Sequence, residues 1–167
     1  YRYLRLEGEM THRESARPAV HRRPREYVAT GPHQVVSWDI TYLRSPVRGV
    51  YYYLYLFVDV WSRKCLGGEV HRNECPELAA RIFQRICVNE GLEPDGIVLH
   101  SDNGTPMKGS TMMSPLQRLG VVTSFSRPRV SDDNPFSEAL FRTMKYRPEY
   151  PYSGAFESLQ DARRGVE

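Results

Sequence analysis

The stretch Tyr51-Tyr52-Tyr53-Leu54-Tyr55-Leu56-Phe57-Val58 contains no charge, no glycine and no proline. Aromatic and β-branched side chains suit a pleated, half-buried surface, so the stretch is predicted to be a strand, and a strand needs a sheet to be stable. Gly49 before it and Trp61-Ser62-Arg63 after it mark hairpin turns. Residues 35–43 and 63–71 have the same character, which predicts three successive strands over 35–43, 50–60 and 63–71. A helix over 74–90 follows: Leu78, Ile82 and Ile86 make one row, Ala79, Phe83 and Cys87 the next, and Gly91 ends it. Then come a strand at 96–99, a short helix near 111–119 stopped by Gly120, and a fifth strand over 121–125. A helix opening at Pro135 and a last one carrying Phe156, Leu159, Ala162, Arg163 and Val166 complete the order. It predicts an α/β domain, a mixed five-stranded sheet flanked by helices.

The chain has 167 residues, enough for one domain with a sizeable core. No apolar run is long enough for a membrane span, and the start, Tyr1-Arg2-Tyr3-Leu4-Arg5, has no apolar signal segment. That start also lacks an initiator Met, which suggests a fragment of a longer protein. Three cysteines (Cys65, Cys75, Cys87) without C-x-x-C spacing predict neither a zinc site nor a disulfide framework and point to a reducing cytoplasm. The first thirty residues hold seven arginines and four glutamates, which accounts for the whole net charge of +3. Residues 1–34, polar and broken by Pro18 and Pro24, therefore read as a basic linker or arm, and 35–167 as the core domain. A core that is neutral overall argues against a simple electrostatic nucleic-acid sponge, not against an enzyme with local DNA contacts.

Three carboxylates stand out. Asp39 falls inside the first strand, and Asp102 follows the fourth in His100-Ser101-Asp102-Asn103-Gly104. Glu138 lies in the first turn of the helix that Asn134 caps and Pro135 opens, where the helix dipole favours a negative charge. Phe136, Ala139, Leu140 and Met144 are its expected apolar face. Lys145, two turns after Glu138, shares its side of the helix. Asp59, a fourth acid, reads as a structural carboxylate in a turn, Trp38 and Cys87 as core. The Asp102-to-Glu138 interval of 35 intervening residues is weakly specific when taken alone.

Its context is more specific. Trp38-Asp39-Ile40-Thr41, Phe57-Val58-Asp59-Val60-Trp61-Ser62-Arg63-Lys64, His100-Ser101-Asp102-Asn103-Gly104 and Asp133-Asn134-Pro135-Phe136-Ser137-Glu138 with Lys145 occur in an order that resembles the catalytic core of bacterial insertion-sequence transposases of the retroviral-integrase type, the DDE family. The resemblance runs from about residue 25 to the end. It implies an RNase H-like fold and a DNA transposase that cleaves DNA 3′ ends and transfers the strand during transposition and integration. It also implies Asp39, Asp102 and Glu138 as catalytic residues and as ligands of two Mg²⁺ or Mn²⁺ ions, with Asp39 bridging them. Such chemistry needs only oxygen ligands, since two hard divalent ions can clamp the attacking and leaving oxygens of a phosphodiester.

DNA contacts are assigned to Lys145, Arg142 and the pair Arg127 and Arg129 around Pro128; His100 and Asn103 are secondary candidates. The implied partners are element-end and target DNA and further copies of the chain in a synaptic homo-oligomer, in the bacterial cytoplasm at the nucleoid, with no membrane. Two rivals are an RNase H or resolvase-like nuclease and a non-catalytic DNA-binding remnant. The resemblance further places a helix-turn-helix region upstream and an aromatic tail downstream, and a large aromatic where this chain has Gly165, which leaves packing at that end open.

Overall fold

The computed structural model describes residues 27–102, 110–126 and 135–166. Residues 1–26 of the expected arm, and with them most of that assignment, lie outside the described residues. Strands β1 (Val35–Arg44), β2 (Tyr51–Asp59) and β3 (Cys65–His71) form an antiparallel meander. Helix α1 (Pro76–Glu90) carries the chain across one face to β4 (Val98–Ser101). Helix α2 (Ser110–Arg118) precedes β5 (Val122–Phe125), and helices α3 (Pro135–Lys145) and α4 (Leu159–Arg164) follow. The sheet order is β3-β2-β1-β4-β5, with β4 and β5 parallel to β1. The mixed five-stranded sheet of the sequence reading is therefore present, with every expected strand within two residues of its place. β4 starts two residues late because Gly96, at φ +79°, still belongs to a turn in which the Ile97 amide donates to the Pro94 carbonyl.

Both faces of the sheet are covered. Under α1 and α2, Val36, Trp38, Tyr55 and Phe57 meet Ala79, Ile82, Phe83, Met112 and Leu116. Trp38 stacks on Phe57 with ring centroids 5.6 Å apart, and Phe57 leans on Phe83 at 5.9 Å. On the other face Leu43, Leu54, Leu56, Val58 and Val70 pack against Phe141, Met144, Phe156 and Ala162. The aromatic strand is thus buried on both sides from Leu54 to Asp59, more deeply than the half-buried strand its composition suggests. Helices on the two faces explain the difference, because such strands read as continuous apolar runs. Cys87 packs into the first core, and all three cysteines are free.

The C-terminal end packs well. Phe156 and Ala162 are fully buried, and a Cβ on Gly165 would come within 2.7 Å of the Phe156 ring. A glycine there lets the end of α4 close onto Phe156, so no large aromatic is needed. Among the described residues, no helix is long and apolar enough to cross a membrane.

Candidate active site

Side chains on a strand alternate between faces, and this sets which acids can meet. In β1, Val36 and Trp38 point into the α1 side, so Ser37, Asp39 and Thr41 point toward α3. β4 runs parallel to β1 with Val35 beside Val98, Val36 beside Leu99 and Ser37 beside His100. Continued past the end of that ladder, the same register puts Asp102 next to Asp39, and the charge of Asp102 does reach the Asp39 carboxyl. Asp102 sits just past the end of β4, and its approach is held by β5. The Ser126 amide donates to the Ser101 carbonyl at 2.9 Å, and the Ser126 hydroxyl donates to the same oxygen at 3.2 Å.

Helix α3 lies across this face. Its buried row is Ser137, Phe141 and Met144, not the Phe136, Ala139, Leu140, Met144 face expected from apolar spacing. Ala139 is exposed, Phe136 and Leu140 are half-buried with Leu140 packed against the second core, and only Met144 of the expected face is buried. The physical reason is a polar contact inside the interface. The hydroxyls of Ser37 and Ser137, both fully buried, hydrogen-bond at 2.9 Å and turn the helix so that a serine faces the sheet. Ser37 stands two residues before Asp39 on the same strand face, and Ser137 adjoins Glu138. That one bond therefore ties the Glu138 turn to the Asp39 strand. Sequence reasoning passed over both serines; the available signal was a small polar residue at i−2 from the strand aspartate.

Asp39 feels the other two carboxylates. Burial raises the Asp39 carboxyl to about 7. The Ile40 amide, donating to Oδ1 at 2.8 Å, opposes the shift, while the charges of Asp102 and Glu138 both add to it. Like charges gathered around a half-buried carboxylate make a site that favours a cation. The donor set is all oxygen, which suits a hard divalent ion better than a soft one. Among the described residues, no group of three or more His, Cys, Asp or Glu side chains is arranged to hold a metal ion as it stands. Glu138 is exposed, so the arrangement is open on the α3 side.

Glu138 opens onto a hollow of about 360 Å³ that it lines with Thr41, Phe141, Arg142, Lys145 and Tyr146. Lys145 thus shares a side of α3 with Glu138 as the spacing predicts, and Arg142 stands between them. His100 lies in β4 rather than in a loop. Its Nδ1 is 3.0 Å from the Ser124 hydroxyl and its Nε2 is 3.3 Å from that of Ser126, so the ring bridges to β5. Arg127, Arg129, Asn103 and the Asn134 cap fall outside the described residues. Asp59 is structural, as read. It is fully buried at the end of β2 and accepts the His33 amide at 2.9 Å and the Ser62 amide at 2.8 Å. Burial alone would raise its pKa, but the Ser62 hydroxyl and amide and the His33 amide bring it below the usual carboxylate value.

The chain is similar to the transposase for insertion sequence element IS904 of Lactococcus lactis, 31% identical over 119 residues, 71% of this chain and 46% of that protein. It is also similar to transposase InsF for insertion sequence IS3A of Escherichia coli, 28% identical over 120 residues, 72% of this chain and 41% of that protein. It thus spans under half the length of these curated relatives.

Among solved structures, an integrase intasome of simian T-cell lymphotropic virus superposes with a TM-score of 0.60 at 16% identity, covering 89% of this chain and 53% of that one. The catalytic core domain of BIV integrase gives 0.57 at 17%, covering 80% and 78%. The HTLV-2 integrase catalytic core, described as dimeric and in complex with magnesium, gives 0.54 at 15%, covering 68% of each. The sheet and its helices are accordingly those of the retroviral integrase catalytic core, the RNase H-like fold. Residues 29–131, which carry both aspartates, match the integrase core domain family, and it is to this family that the chain belongs.

Proposed function

We propose that this domain is the catalytic part of a DNA transposase, a polynucleotidyl transferase that cleaves DNA at 3′ ends and then transfers the strand. The observation that carries the reading is that Asp39, half-buried on the α3 side of the sheet, lies near enough to Asp102 and Glu138 for both charges to add to the rise in its pKa. The similarity to insertion-sequence transposases supports it. Asp39, Asp102 and Glu138 would supply the oxygen ligands for Mg²⁺ or Mn²⁺ ions. Such ions, when bound, activate the attacking oxygen and stabilise the leaving one.

The protein's own part is to orient DNA. Arg142 and Lys145 line the hollow with Glu138 and offer cations to backbone phosphates, which position a duplex without reading its sequence. Arg127 and Arg129, just ahead of α3 in sequence, are assigned the same phosphate contacts on sequence grounds alone. Residues 1–34 serve as the connecting arm, element ends and target DNA are the substrates, and several copies of the protein assemble on them.

The test is strand transfer with pre-cut DNA ends in Mg²⁺ or Mn²⁺. Wild type should join ends to target, while Asp102→Asn and Glu138→Gln should lose at least about two orders of magnitude, as expected when an ion loses a carboxylate ligand. Joining by both variants at the wild-type rate would refute the assignment. Cleavage by wild type without joining would favour a nuclease of the same fold.

A further inference from the structure

The turn between β2 and β3 has an unusual construction. Arg63 takes φ +65°, in the left-handed region that costs a non-glycine residue about 1 kcal/mol. The turn is fixed in that shape by Asp59. Its carbonyl accepts the Arg63 amide at 2.9 Å, its amide donates to the Lys64 carbonyl at 2.9 Å, and its carboxylate accepts the Ser62 amide and hydroxyl. The result aims the Arg63 side chain across to α3. The guanidinium carbon lies 3.8 Å from the centroid of the Phe136 ring. A cation over an aromatic face at that distance is an attractive contact. Phe136 is the second residue of α3, next to Ser137 and two residues before Glu138.

We propose that Arg63 is a positioning residue for the catalytic carboxylates. By covering Phe136, it holds the first turn of α3 against the sheet and so sets how far Glu138 can reach toward Asp39 and Asp102. The Ser37–Ser137 hydrogen bond anchors the same turn from the other side, so the turn has two anchors, and Arg63 supplies the one that comes from outside the β1–α3 interface. This inference rests on the reading of Glu138 as a metal ligand.

Glycine separates this role from a merely structural one. Arg63→Gly removes the guanidinium while relieving the backbone, so the metal-free protein should melt at or above the wild-type temperature. Its affinity for Mn²⁺ in calorimetric titration should nevertheless fall roughly threefold to tenfold, the range a cation–π contact supports. Arg63→Lys, which keeps a cation for the ring, should restore most of the affinity. Phe136→Leu should weaken Mn²⁺ binding like Arg63→Gly.

Wild-type Mn²⁺ affinity in Arg63→Gly would overturn the proposal. So would a loss of affinity accompanied in both Arg63→Gly and Phe136→Leu by an equally depressed metal-free melting temperature, because Arg63 would then be a stability contact. Glu138→Gln serves as the reference. If it loses Mn²⁺ affinity while Arg63→Gly keeps it, the site stands and only the anchor fails. If Glu138→Gln also binds like wild type, the reading of Glu138 fails and takes the proposal with it.

Discussion

At the level of single residues, the protonation of Asp39 links the site to the stability of the whole chain. Its carboxyl titrates near 3.8 when unperturbed and near 7 in the folded protein, first through burial and then through the charges of Asp102 and Glu138. The folded state thus holds this proton more tightly than the unfolded state. The stabilising contribution is complete below about pH 4 and is lost as pH rises through about 7. In chelator, the melting temperature of wild type should therefore fall relative to that of Asp39→Asn as pH goes from 4 to 8. Saturating Mg²⁺ should flatten the difference, because a bound cation favours the carboxylate. Parallel pH profiles for the two proteins in chelator would mean that Asp39 is not perturbed. The same residue shows how far a sequence can be read. Its strand was legible from the apolar run around it, whereas its pKa depends first on burial under elements from elsewhere and then on two acids distant along the chain.

Helix α3 is the element on which the site turns, and its rotation about its own axis is the decisive quantity. Apolar spacing favours a face through Ala139 and Leu140, yet the helix buries Ser137, Phe141 and Met144. Hydropathy misleads here because a serine pair sits in the interface and an arginine, rather than the core, covers Phe136. The two rotations predict opposite mutational outcomes. Phe141→Ala should cost about 3–5 kcal/mol of unfolding free energy, as for other buried phenylalanines. Ala139→Lys, at an exposed position, should stay within about 0.5 kcal/mol of wild type. Denaturant titrations of the two variants decide between the faces, and the reverse ranking would put Ala139 in the core. The strands were more legible than this helix, because runs such as Tyr51–Val58 have only one stable environment. Their depth of burial was not, since it depends on helices arriving from elsewhere.

Across the molecule, the hollow beside Glu138 is where charge meets shape. The net charge of +3 is carried by the first thirty residues, so the rest of the chain is neutral overall, and the proposed function requires its cations to be concentrated locally. Arg142 and Lys145 do so on one side of α3. Replacing each by alanine should weaken duplex binding about equally for any sequence and reduce the steepness of its salt dependence by about one unit per cation. Fluorescence anisotropy over a salt series measures this, and unchanged slopes in both variants would move the DNA track off this face.

The amino-acid order alone determined the succession of strands and helices and the mixed sheet, because periodicity and turn residues act over a few positions; the three acids were singled out by the family resemblance of the motifs around them. The tertiary structure decided which faces those elements present. It paired β1 with β4 so that residues 39 and 102 fall side by side, turned α3 by a buried hydroxyl pair, and set Arg63 over Phe136. Those outcomes depend on contacts between residues as much as 100 positions apart, which local patterns do not encode.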